Sequence, residues 1–132
     1  MGPADPSRSD LSTHSQVFAD CRLISVQGRI DHTNSECFQD RLGAAARDVP
    51  KGGGMVVDLG GLDFITSAGL RALLVAQRTV SAAGSKLVVC GIEGVVREVF
   101  RIARFDVLLS VADSTEAAVA QVSPAAAEAY TG

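Results

Sequence analysis

Met55-Val56-Val57-Asp58-Leu59 is apolar at every position but one. A strand that alternates polar and apolar residues can leave one face in water, but a continuous run of this kind has to be covered on both faces. A second run, Leu87-Val88-Val89-Cys90, has the same character. Between them a helix is predicted over 67–83. Leu70, Leu73, Leu74, Gln77 and Val80 form one stripe, and Ala68, Ala72, Ala76 and Ala83 supply small residues elsewhere around it. Gly60-Gly61 reads as the turn that ends the first run, and Gly84 as the helix stop. Two-sided strands alternating with helices imply an α/β domain with a largely parallel sheet.

The flanking segments extend the pattern. Residues 1–15 carry Pro3, Pro6 and several serines and read as a flexible tail that includes His14. Gln16–Ala19 and Arg22–Gln27 predict a hairpin of two short strands, ended by Gly28. A helix is expected from near Thr33 or Asn34, capped by Asn34 or Ser35, with Cys37, Phe38, Leu42 and Ala45 inward. Glu93–Ala103 predicts a third helix on Val95, Val96, Val99, Phe100 and Ile102, and Phe105–Val111 a last strand. Asp113-Ser114-Thr115-Glu116 resembles a capping box with Asp113 as the cap, opening a helix to Val122. Ser123 to Gly132 is expected to fray. The domain is therefore expected over 16–122, with about five strands in a mixed, mostly parallel sheet, a hairpin at one edge and about four helices.

Composition narrows the function classes. The chain has 132 residues, 47 % of them hydrophobic, enough for one core, which in the absence of Trp must rest on Val, Leu, Ile and Ala. A net charge of −3 argues against nucleic acid and against an anionic membrane surface as partners. No apolar run reaches the roughly 18 residues of a membrane span, and the polar start lacks a signal-peptide core. Cys21, Cys37 and Cys90 are odd in number with no Cys-x-x-Cys spacing, and Cys90 reads as a small buried hydrophobe. A cytoplasmic protein without metal or cofactor is expected. Gly52-Gly53-Gly54 is not a phosphate loop, because Lys51 precedes the glycines and a strand follows.

The candidate functional residues lie where the central strand hands over to its helix, at Ile65-Thr66-Ser67-Ala68-Gly69. A nucleophile elbow would need a glycine two residues before the serine, and Ile65 stands there. Asp31 and His32 are adjacent in sequence and do not make an oriented catalytic pair. A serine at a helix start is ordinarily a cap. Here Thr66 can cap, which leaves Ser67 free to face outward in the first turn. A phosphate on Ser67 would meet unpaired helix amides and the positive end of the helix dipole, and would add about −1.5 to −2 charges. Arg71, four residues on, shares its helical face and is expected to meet such a phosphate or an acidic partner group, unless it is simply solvated. Asp31 is read both as a turn residue bonding local backbone and as a contact residue.

The stretch Asp58-Leu59 followed by Leu62-Asp63-Phe64-Ile65-Thr66-Ser67-Ala68-Gly69-Leu70-Arg71-Ala72-Leu73-Leu74 resembles the signature of STAS domains, specifically the bacterial anti-sigma factor antagonists. Gly28-Arg29-Ile30-Asp31 is similar to that family's turn after the second strand, and Lys86–Gly91 and Val96–Phe100 extend the match over 16–122. The resemblance implies a STAS fold and a partner switch without catalysis. The unmodified protein would bind a serine-kinase anti-sigma factor, phosphorylation at Ser67 would release it, and a PPM-type phosphatase would reset it. Asp31, Thr66, Ser67, Gly69 and Arg71 are the implied partner-binding residues. Many antagonists carry Asp-Ser-Ser-Gly where this chain has Thr66-Ser67-Ala68-Gly69, so one acidic contact is missing and Ser67 is the only serine in the motif. Two other readings stand beside this one. In the first, a STAS subunit of a transporter ATPase complex or stress-sensing scaffold binds its partner with no phosphorylation cycle. In the second, the chain is an enzyme or nucleotide binder, for which no phosphate cradle or catalytic constellation is visible.

Overall fold

The computed structural model describes residues 11–130. The expected tail over 1–10 lies outside them. Five strands form one sheet in sequence order: β1 (Leu11–Phe18), β2 (Cys21–Ile30), β3 (Gly54–Ile65), β4 (Lys86–Cys90) and β5 (Ser110–Ala112). β1 and β2 are the expected antiparallel edge hairpin, and the other neighbours are parallel. Among the described residues there are six helices: α1 (Ser35–Arg47), α2 (Ser67–Ala82), α3 (Gly94–Ile102), α4 (Phe105–Leu108), α5 (Thr115–Val122) and α6 (Pro124–Ala129).

The pleat of the central strands divides the core in two. Met55, Val57 and Leu59 of β3 and Leu87 and Val89 of β4 point toward α1, α2 and α3, where Phe38, Leu42, Leu73 and Phe100 are fully buried. Val56, Val88 and Cys90 point the other way, onto Ala118 and Val119 of α5 and Ala126 of α6. A sheet with helices on both faces is what the two continuous apolar runs demand. Asp58, the polar break in the first run, is satisfied locally. Its Oδ1 accepts from the Gly60 amide at 2.8 Å and its Oδ2 from the Thr115 hydroxyl at 3.3 Å.

Several expectations are corrected. β1 begins at Leu11 rather than Gln16, so the second part of the expected tail is an edge strand. β2 runs past Gly28 to Ile30, and β3 runs through Gly60-Gly61 instead of turning there. Cys37 is exposed, and α1 buries Phe38, Leu42, Ala45 and Ala46. Val95 and Ile102 of α3 are exposed, leaving Val96 and Phe100 to anchor it. Of the strand expected over Phe105–Val111, Phe105–Leu108 is instead a single helical turn, with the Phe105 ring edge-on to Phe100 at a centroid distance of 6.3 Å, and the strand is Ser110–Ala112. Ser114, not Asp113, caps α5 by accepting from the Ala117 amide at 3.1 Å. The end of the chain, expected to fray, forms α6 behind a Ser123 cap and Pro124 at the first helical position.

Candidate functional site

The long pairing of β2 with β3 builds the site. Ile30 stands opposite Ile65 at the far end of the ladder, so both strands finish side by side. The chain then leaves β3 at Thr66, whose amide donates to the Ile30 carbonyl at 3.1 Å. Thr66 is the N-cap of α2 in extended conformation, and its Oγ1 accepts from the Gly69 amide at 3.4 Å. This is the capping role expected of it. Ser67 is therefore the first helical residue. It is exposed, and its hydroxyl has no hydrogen-bond partner among the described residues. The Ser67 and Ala68 amides have no acceptor within the helix, and no acidic residue occupies the first turn. The positive end of the α2 dipole is thus uncompensated beside the free hydroxyl.

Gly69, expected on the contact surface, is buried. A Cβ there would lie 2.7 Å from Ile65 Cγ1 and 3.0 Å from Ile30 Cγ2. Its absence is what lets α2 start directly against both strand ends.

Asp31 follows β2 immediately and is fastened from several sides. One carboxylate oxygen accepts from both the amide and the hydroxyl of Thr33. The other faces Arg29 Nε at 3.4 Å. The Thr33 hydroxyl, more than any other group, holds the Asp31 carboxyl below its ordinary range. The Thr33 amide acts in the same direction, burial opposes both, and Arg29 and His32 add weaker lowering effects. The turn role read for Asp31 is thus met by Thr33.

Three further residues belong to this corner and were not expected there. Asn34 is buried, and it does not cap α1 with its side chain. Instead its Oδ1 accepts from the Asp31 amide and its Nδ2 donates to the Arg29 carbonyl, both at 2.9 Å. The Arg29 guanidinium lies over the Phe64 ring, 5.7 Å from its centroid, and Phe64 is 36 % exposed. Arg29 and Phe64 are cross-strand partners, a pairing that only the β2–β3 register reveals. Arg71 is exposed and has no ion pair among the described residues. It borders, with Ser67, Ala68 and Phe105, an open groove of about 570 Å³ along α2. Among the described residues no three His, Cys, Asp or Glu side chains are placed to hold a metal ion, and no helix is long and apolar enough to cross a membrane.

A mixed sheet covered on both faces, with a capped helix presenting Ser67 at its exposed start, defines a small α/β module. The family model of the STAS domain matches residues 13–118. BtrV of Bordetella bronchiseptica, a candidate anti-sigma factor antagonist, is 41 % identical over 99 residues, covering 74 % of this chain and 83 % of BtrV. The crystal structure of an anti-sigma factor antagonist from Mycobacterium paratuberculosis superposes with a TM-score of 0.76 at 20 % identity, over 85 % of this chain and 93 % of the other. The Bacillus cell fate determinant SpoIIAA in its phosphorylated form gives 0.61 at 17 % identity, over 83 % and 98 %. The chain belongs to the STAS-domain family. The anti-sigma factor antagonists of this family are regulatory binding proteins and not enzymes.

Proposed function

We propose that the protein is an anti-sigma factor antagonist working by partner switching in the cytoplasm. Unmodified, it binds a serine-kinase anti-sigma factor through Ser67, Thr66, Asp31 and Arg71. Phosphorylation of Ser67 ends that binding, and a PPM-type phosphatase restores it. The observation that carries this reading is the exposed, unbonded Ser67 hydroxyl in the first turn of a helix already capped by Thr66. The 41 % identity to BtrV supports the antagonist assignment. The phosphorylated structure of SpoIIAA shows that a protein of this fold accepts a phosphate.

The physical logic has two parts. A phosphate at Ser67 meets free amides and the helix dipole, so the fold tolerates it. In the contact surface the same charge is repelled or left desolvated, so the complex does not tolerate it. The test is to incubate the protein with the purified kinase anti-sigma factor and ATP and to map the phosphate by mass spectrometry. Ser67→Ala is expected to stay bound to the kinase, and Ser67→Glu to bind weakly. Phosphate on another residue, with Ser67→Ala still switching, would sink the assignment. Stable binding with no phosphate incorporated would favour a STAS subunit of a larger assembly.

A further inference from the structure

The groove beside Ser67 extends well beyond the phosphoacceptor. Ala68, Leu74 and Val75 of α2 and Phe105 of α4 line it together with Arg71 and Arg78. Gln77 Nε2 donates to the Leu108 carbonyl at 3.2 Å and fixes α4 against α2. Beyond that bond the surface stays apolar, with Leu108 51 % and Val107 77 % exposed. The bordering residues recur every three or four positions from Ser67 to Arg78, a span of about 16 Å at 1.5 Å per residue. That is the seat a ridge of a second helix about three turns long would fill.

Charge specifies what kind of helix. The chain carries a net charge of −3, yet α2 contains two arginines and no acidic residue. Neither Arg71 nor Arg78 has an ion pair or hydrogen bond among the described residues. Asp106, on α4, instead adds to the field at Arg101. Two guanidiniums seven residues apart, two turns along one face, ask for two carboxylates at the same spacing. No helix among the described residues carries two acidic residues seven apart, so a second copy of this chain does not supply the match.

We propose that this groove seats an acidic amphipathic helix of the anti-sigma factor, whose apolar face covers Val75 and Phe105 and whose carboxylates pair with Arg71 and Arg78. The proposal rests on the partner-switching reading and adds to it a contact region and its chemistry. Arg71 belongs to both events. A phosphate on Ser67, one turn before it, draws the guanidinium away from the partner's carboxylate, so modification removes an attraction as well as adding a repulsion.

The experiment measures binding of the purified kinase anti-sigma factor from the same organism to full-length wild type, Arg78→Glu, Val75→Glu and, as a control on exposed α3, Arg97→Glu. Circular dichroism melts confirm that each variant is folded. Arg78→Glu and Val75→Glu are expected to raise Kd at least tenfold, and Arg78→Glu to flatten its dependence on salt, while Arg97→Glu stays within twofold. Wild-type binding with both groove variants within twofold overturns the groove and leaves the proposed function standing. Absence of wild-type binding overturns the proposed function and the groove with it. A wild-type dimer by light scattering that Arg78→Glu dissociates gives the groove to a second copy and overturns the proposal.

Discussion

The amide of Thr66 donates a hydrogen bond to the carbonyl of Ile30 at 3.1 Å, and this bond joins the two halves of the site. Thr66 precedes Ser67, and Ile30 precedes Asp31, so one bond sets the Ser67 hydroxyl and the Asp31 carboxylate on neighbouring chain ends. It extends the β2–β3 ladder by one step past Ile30 and Ile65. The position of Ser67 therefore follows from strand register and not from loop flexibility.

Gly69→Ala tests how tightly that corner is closed. The added methyl would meet Ile65 Cγ1 at 2.7 Å and Ile30 Cγ2 at 3.0 Å. Overpacking of this kind costs about 1–3 kcal/mol, and the better helix propensity of alanine returns at most about 1 kcal/mol. A net loss of about 1–2 kcal/mol is expected in urea denaturation. A variant as stable as wild type would show that the isoleucines move aside freely.

Asn34→Ala removes both clasps around Asp31, leaving the Arg29 carbonyl and the Asp31 amide without their side-chain partners. Loss of buried partners costs about 1–3 kcal/mol per group, so a destabilisation of about 2–3 kcal/mol is expected. Asn34→Asp keeps the acceptor but turns a carboxylate oxygen toward the Arg29 carbonyl, and should be no better. Equal urea midpoints for wild type and either variant would contradict this account.

How much of this was legible in the sequence depends on what each residue answers to. Continuous apolar runs report burial on both faces, so β3, β4 and the α/β class were readable, as were Thr66 as cap and the β1–β2 hairpin. The extent of β3 was not. Gly60-Gly61 has turn composition, but the Gln27 side chain occupies the place of a Gly61 Cβ, with Cγ 2.6 Å from it, so glycine there serves close strand pairing. β1 was half hidden because an edge strand open to water on its exposed side reads as polar tail. Asn34 has the local spacing of a helix cap, whereas its side-chain partners lie back along the chain at Arg29 and Asp31. Nothing in a one-dimensional pattern places Arg29 over Phe64.

Stability toward acid should reveal the Asp31 carboxylate. Its folded-state pKa lies below its ordinary value, chiefly through the Thr33 hydroxyl. The unfolded reference is about 3.9, so this contribution is complete above about pH 4 and is lost as the pH falls through the lower folded-state value. Asp31→Asn should therefore be less stable than wild type at pH 7, and the gap should narrow as the pH drops below about 4. Urea midpoints measured across that range check it. A gap independent of pH would mean that shape rather than charge is being lost.

Thiol chemistry separates the three cysteines. Burial pushes Cys21 and Cys90 up to about 11, with Asp20 and Asp58 adding to the effect and Thr115 opposing it at Cys90, whereas Cys37 is exposed. A disulfide reagent acts on accessible thiolate, so at about pH 8 one thiol should react in the folded protein and three in denaturant. Cys37→Ala should abolish the native reaction. Rapid labelling of Cys90 without denaturant would mean that the α5 side of the sheet opens readily.

Arg71 is expected to decide whether the phosphate proposed for Ser67 is merely tolerated or also held. It lies one helical turn past Ser67 with no ion pair among the described residues. A phosphoserine at that spacing gains a guanidinium partner in addition to the helix amides. Exposed pairs contribute little, about 0.3–1 kcal/mol, so the phosphorylated protein should melt only slightly above the unmodified one in low salt. Arg71→Ala should remove that increment and leave the unmodified protein within about 0.5 kcal/mol of wild type. If the phosphate also competes with the partner for this guanidinium, Arg71→Ala will weaken kinase binding before any phosphate is added. It will then also shrink the further loss that phosphorylation causes. Undiminished release in Arg71→Ala would assign the switch wholly to repulsion at Ser67 itself.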